Sequence, residues 1–239
     1  MRVPVSIVLS LLCANAAQAD ETPTWEGDVE FGYYQTDGNS NETSLLAKGT
    51  ASRKSGLWTN VVKANAQNNE VEGVRSEEQY FISDRLSYDI SDFNYSFGYV
   101  SVDKDRFSGY VYQATIAGGY GRRLLKNDRV VWDAEVGPGF RISEFDTGSA
   151  EGDGKTEEAI LRLSTDLKAK VSETATFEQS LSVESGDKNT VSKSVTALKT
   201  KIIGGFGLKI SYTMEYNEVV PNSNVHMDKQ TAVTLVYSF

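Results

Sequence analysis

The residue types able to do chemistry are few. His226 is the only histidine; beside Ser223 or Ser211 it offers the two side chains of an acyl-transfer site, a base and a nucleophile. Nothing around it has the strand–turn–helix pattern of a nucleophile elbow, so the residues favour a solvated loop histidine and no catalytic group is assigned. Asp37-Gly-Asn-Ser-Asn-Glu42 starts like a calcium loop, with oxygen ligands at its first, third and fifth positions. It then has Glu42 where the turn glycine belongs and Lys48 where a bidentate Glu belongs, so a polar turn is the better reading. No metal or cofactor site is predicted. A third set is larger. Arg85, Asp133, Glu135, Arg141, Arg162 and Asp166 fall on the polar side of apolar/polar alternations, and such charges either line a water-filled passage or pair and close it.

The elements that must hold these residues follow from the same alternation. Trp25, Val29, Phe31 and Tyr33 share one face against Glu26, Asp28 and Glu30. Tyr80, Ile82, Leu86 and Tyr88 oppose Phe81, Ser83 and Arg85. Phe93, Tyr95, Phe97 and Tyr99 alternate with Asn94, Ser96 and Gly98, and Leu161, Leu163 and Leu167 with Arg162, Asp166 and Lys168. A two-residue period means strands, each with one apolar and one polar face. Twelve are predicted, near 25–36, 43–53, 57–68, 78–90, 93–103, 110–123, 129–143, 157–171, 175–185, 192–202, 206–218 and 229–239. Their connections are expected to alternate long and short, with acidic long ones. Strands this long, even in number and so connected, describe an all-β fold: an antiparallel up-and-down transmembrane barrel of outer-membrane type. Aromatics near strand ends (Trp25, Tyr33, Trp58, Tyr80, Phe93, Tyr110, Tyr120, Tyr212, Tyr237) suit interfacial girdles.

Composition sets the limits. The chain has 239 residues and a net charge of −9, a poor match for nucleic acid. Residues 1–19 read as a secretory signal peptide: Arg2, an apolar run from Val3 to Leu12, then Ala17-Gln-Ala19 before Asp20. The barrel is then residues 20–239, exported to the cell outer membrane with both termini periplasmic. Cys13, the only cysteine, lies in the leader behind a bulky Leu12, so neither a lipid anchor nor a disulfide framework is expected.

Several segments, Tyr33-Tyr-Gln-Thr-Asp-Gly-Asn-Ser-Asn-Glu-Thr43, Glu78 to Tyr88, Asp105-Arg-Phe-Ser-Gly-Tyr110, Gly118 to Leu125, Gly137-Pro-Gly-Phe-Arg141 and Leu235-Val-Tyr-Ser-Phe239, resemble the YdiY-like, salt-induced outer-membrane proteins. The resemblance spans nearly all of residues 20–239. It implies an outer-membrane barrel with a passive role in salt or osmotic adaptation and supplies no catalytic residues; the balanced charges of the lumen face add the expectation of a narrow channel for small solutes or ions. A plugged structural barrel and a lipid-modifying enzyme remain the alternatives. The ending on Phe239 resembles the signal read by the barrel-assembly machinery; outer-membrane lipids and lipopolysaccharide are the other expected partners, with oligomeric state open.

Overall fold

A computed structural model of the protein describes residues 25–36, 42–105, 110–145, 154–220 and 225–239. Twelve strands run in chain order: β1 (Trp25–Thr36), β2 (Glu42–Ser55), β3 (Trp58–Val71), β4 (Val74–Asp89), β5 (Asn94–Asp105), β6 (Tyr110–Lys126), β7 (Val130–Phe145), β8 (Lys155–Lys170), β9 (Ala175–Gly186), β10 (Thr190–Ile203), β11 (Phe206–Asn217) and β12 (Met227–Ser238). Each pairs antiparallel with its sequence neighbours, and β1 pairs with β12, so the sheet closes into a barrel. Closure leaves no free edge, which is what a sheet in hydrocarbon requires. The closing seam is the shortest ladder, running only from Asp28–Ser238 to Phe31–Leu235, with Gly27 and Phe239 exchanging backbone bonds below it. The β7–β8 ladder runs from Val130–Ala169 to Glu144–Lys155.

The outer wall is apolar where the alternation predicts it. Val29, Phe31, Ile116, Ile210 and Val233 each expose more than half of their surface, which no water-soluble core arrangement explains. Toward the end that carries the C terminus, Trp58 lies on Tyr88 with ring centroids 4.9 Å apart, Phe206 on Tyr237 at 5.0 Å, and Arg53 covers Trp25. Here the strand faces meet water.

Three expectations change. The nine-residue connection expected at 69–77 is instead a two-residue turn, Glu72-Gly73, with φ of 53° and 72°. Left-handed φ at both central positions matches the right-handed twist of the flanking strands, so β3 and β4 continue through Asn68, Asn69 and Glu70, whose polarity imitates a loop. The β9–β10 connection likewise shrinks to 187–189, and regular long–short alternation does not hold.

The second change is the side taken by β5. Tyr95 and Phe97 are buried, exposing 1% and 6%, while Ser96, Gly98 and Val100 face outward. Its aromatic face therefore lines the interior. Tyr95 fits because Gly121, its register partner, has no Cβ; one placed there would lie 2.2 Å from the tyrosine ring. Thirdly, one residue expected in the girdles is elsewhere: Tyr110 is buried inside, past a bulge between Tyr110 and Tyr112, whereas Phe93, next to the start of β5, is exposed.

Candidate functional site: a charged lattice across the lumen

The inward faces of the strands are polar, and their charges meet in tiers. Nearest the termini, Lys199 on β10 reaches three strands around the wall to Asp28 on β1, with Nζ 2.8 Å from Oδ2, and Arg123 on β6 binds Asp89 on β4 at 2.6 Å. Above them Lys209 sits between Glu30 at 3.0 Å and Glu178 at 3.1 Å, joining β11 to both β1 and β9. Thr234, nearly fully buried, donates to the other oxygen of Glu30. On the facing wall Arg85 donates from Nε to Glu135 at 2.9 Å, bridging β4 to β7, while Tyr95 and Ser164 donate to the same carboxylate. The Arg85 and Arg123 guanidiniums lie 5.5 and 5.1 Å from the centre of the Tyr95 ring. That ring is a shared cationic platform.

Two contacts cross the lumen further up. Arg162 on β8 lies 3.9 Å from the ring centre of Tyr99 on β5 and donates to Glu184 at 2.7 Å. Lys193 on β10 binds Glu215 at 2.8 Å and points at Phe81 on β4, six strands away and 5.6 Å from its ammonium. At the loop-bearing mouth, Arg141 exposes 1% of its surface and forks onto Glu158 at 2.8 and 3.1 Å. It also donates to the carbonyl of Asn189. The second oxygen of Glu158 accepts the backbone N–H groups of Lys188 and Asn189. Asn189 in turn accepts from the backbone of Val219, whose carbonyl takes the Tyr110 hydroxyl. The 187–189 turn is thereby held inward by a charge-assisted network.

Of the six charges predicted for the lumen, the structure pairs Arg85 with Glu135. Arg141 and Arg162 take Glu158 and Glu184, their cross-strand neighbours. Both partners were missed, although strand parity puts Glu158 in phase with Arg162 and Glu184 in phase with Glu178. Asp133 and Asp166 face each other in register between β7 and β8 rather than bridging to an arginine, and Asp133 Oδ1 is buried without a hydrogen-bond partner. Of the candidate acyl-transfer residues, Ser211 and His226 are not brought together. His226 is exposed at the outer end of β12, bonding the Asn217 carbonyl at 2.9 Å and stacking on Tyr216. Ser211 is buried opposite Ala232, six residues down the strand or roughly 20 Å away. Ser223 and the Asp37–Asn41 segment lie outside the described residues. Among the described residues no three His, Cys, Asp or Glu side chains are grouped to hold a metal.

Residues 29–239 match the model of a family described as protein of unknown function, DUF481. The chain belongs to this family. Its YdiY-like character is direct: the chain is 31% identical over 215 residues to the Escherichia coli K12 protein named uncharacterized protein YdiY, covering 90% of this chain and 83% of the relative. Among solved structures, the DUF481 barrel is similar to the NanC porin, with TM-score 0.54, 11% identity, and 88% and 98% of the two chains covered. It is also similar to an outer membrane channel from Pseudomonas putida F1, with TM-score 0.52, 8% identity, and 92% and 97% covered. The translocator domain of the Neisseria meningitidis autotransporter NalP gives TM-score 0.51, 11% identity, and 90% and 86% covered. These likenesses establish the outer-membrane barrel fold for this DUF481 chain.

Proposed function

We propose that the protein is exported by its leader to the outer membrane and acts there as a narrow passive conduit for ions and small solutes in salt or osmotic adaptation. The observation that carries this reading is the tiered lattice, in which Arg85–Glu135, Lys199–Asp28, Lys209 with Glu30 and Glu178, and Arg162 over Tyr99 bridge non-adjacent strands. Such bridges leave a charged, water-compatible lining and little free width. These side chains keep between 6% and 26% of their surface open, so added salt, which shortens the Debye length from about 10 Å at 0.1 M to about 3 Å at 1 M, weakens the more open members first.

Reconstituted in planar bilayers, the protein is expected to give small discrete conductance steps that grow faster with salt than bulk conductivity does. Steps that admit uncharged oligosaccharides would overturn the narrow lumen. Arg162→Ala and Arg85→Ala, each freeing one crossing of the lumen, are expected to raise the step size several-fold without loss of folded barrel.

One observation favours a second reading, a plugged barrel with a structural role. The inward turn at 187–189 is clamped at the mouth by Arg141 and Glu158. Silence of both the wild type and Arg141→Ala in bilayers would select it. A lipid-modifying role with Ser211 as nucleophile is the least supported, since Ser211 and His226 lie so far apart; with Ser223 it rests on His226 alone. His226→Ala is expected to leave phospholipid and lipopolysaccharide turnover in isolated outer membranes unchanged; a measured loss of hydrolysis would reinstate an enzyme.

A further inference from the structure

The outer wall carries two polar features where a lipid-facing surface should be apolar. Asp84 lies on the outward face of β4, in register with Val62 and Val100 and in phase with Ile82 and Tyr80, which expose 50% and 45%. It stands midway between Tyr80 and Tyr88, at the centre of the strand's apolar span. Asn60 on β3 donates to its carboxylate at 2.5 Å, which satisfies part of one oxygen and leaves acceptor capacity pointing outward. Directly toward the terminal end the wall is indented by a groove of about 290 Å³, walled by Trp58, Leu86 and Tyr88 and floored by Ser96 and Gly98.

The second feature lies across the barrel. Gln179 on β9 faces outward opposite Thr196 on β10, accepting from the Thr196 hydroxyl at 2.6 Å and donating to Ser194 at 3.1 Å and to the Ser180 carbonyl at 3.2 Å, which uses its amide hydrogens. Ser194 has its own hydroxyl proton left to give. Below the amide, Phe177 and Leu198 form an apolar ridge in register with each other. In the closed strand order β3 and β4 are six strands from β9 and β10, so the two features are diametrically opposed. Each lies a few residues in from the terminal end of its strand: Asp84 five before the last residue of β4, and Gln179 four after the first residue of β9.

We propose that these faces dock on one another between copies of the chain, the carboxylate of Asp84 accepting from the Ser194 hydroxyl of the next barrel while its Phe177–Leu198 ridge enters the Trp58–Leu86–Tyr88 groove. The match is two-fold in kind, acceptor to donor and groove to ridge, and both pairs keep the same vertical order. A carboxylate in hydrocarbon needs a donor that lipid tails cannot supply, and the Ser194 hydroxyl facing lipid gains from an acceptor across the interface. A symmetric contact of the Asp84 face with itself would set two carboxylates together, so the head-to-tail arrangement is the one the chemistry selects. Faces on opposite sides of the barrel make a head-to-tail contact that repeats without closing. The assembly is a straight row of parallel barrels in the plane of the membrane.

The inference rests on residence in a membrane, which fractionation and heat-modifiable migration on a gel test separately. Residues 20–239 contain no cysteine, so introduced thiols report cleanly. Cells co-expressing differently tagged Asp84→Cys and Gln179→Cys chains, oxidised or treated with a short bis-maleimide in intact outer membranes, are expected to yield the mixed dimer at least tenfold over either homodimer. The double variant Asp84→Cys/Gln179→Cys should give a ladder of multimers. Leu86→Cys with Leu198→Cys repeats the test without touching the polar groups. Homodimers of Asp84→Cys or of Gln179→Cys alone, or no cross-link in either pairing while the barrels migrate as folded, would overturn the proposal.

Discussion

Arg141→Ala is expected to be the most damaging single change to the interior, lowering stability by about 3–5 kcal/mol and freeing the outer mouth at the same time. The guanidinium is almost wholly enclosed and forks onto Glu158, which exposes 4% of its side chain. Removing it strands a buried carboxylate whose remaining partners are the backbone N–H groups of Lys188 and Asn189. Breaking one half of such a pair costs far more than the pair contributes, because the abandoned charge keeps its desolvation penalty. Urea unfolding in lipid vesicles, followed by the heat-modifiable band, measures the loss. The double variant Arg141→Ala/Glu158→Ala is expected to recover much of it, since no charge is then left alone. Arg141→Lys should fall between, keeping charge but not the fork. An Arg141→Ala barrel as stable as wild type would show that the mouth network holds nothing.

The second large effect is expected at Gly137. A Cβ added there would lie 2.2 Å from the carbonyl oxygen of Gly118 and 2.8 Å from the Cα of Gly119, and one added at Gly119 would lie 2.2 Å from the carbonyl oxygen of Val136. These neighbours are backbone, so no rotamer change relieves the overlap; β6 and β7 must part. Pro138 follows Gly137 and cannot donate to the ladder, and the β6–β7 pairing breaks at Gly118 and Gly119, between Ala117–Gly139 and Tyr120–Val136. The two strands approach by close packing of glycine backbones at this point. Gly137→Ala is expected to cost about 1–3 kcal/mol, as overpacking does, and to deplete the folded band in outer membranes. Gly98→Ala, where the space is open, should stay within about 0.5 kcal/mol of wild type, as surface substitutions do. Equal effects at the two positions would contradict this account.

Strand number, order and most faces were legible in the sequence because a two-residue period over a dozen residues admits one solution. Trp25 to Tyr33 and Leu161 to Leu167 illustrate it: one face is apolar, the other charged, and the sides follow. β5 defeats the rule since both of its faces lack charge between Asn94 and Val102. Apolarity alone then puts Tyr95 and Phe97 in lipid, while the neighbouring guanidiniums and the cleared space at Gly121 draw them inward. The Glu72-Gly73 turn was hidden by the polarity of strand ends that project past the membrane. In the lumen, strand parity sufficed to find the charges but not to pair them. Pairing depends on register, and register put Glu158 beside Arg141 and Glu184 beside Arg162, leaving Asp133 facing Asp166. Asp84 escaped notice because one acid in an apolar face looks like noise in an alternation, although its side is fixed by Ile82 and Tyr80.

The short seam between β1 and β12 gives the barrel a direction of failure. Every other strand pair is laddered over most of its length, but here the register ends at Phe31–Leu235 while β1 runs on to Thr36 and β12 begins back at Met227. When thermal motion or lateral tension parts the wall, the tear starts at the outer end of this seam and travels toward Gly27 and Phe239. The bonds expected to yield last are the pair that Gly27 and Phe239 exchange.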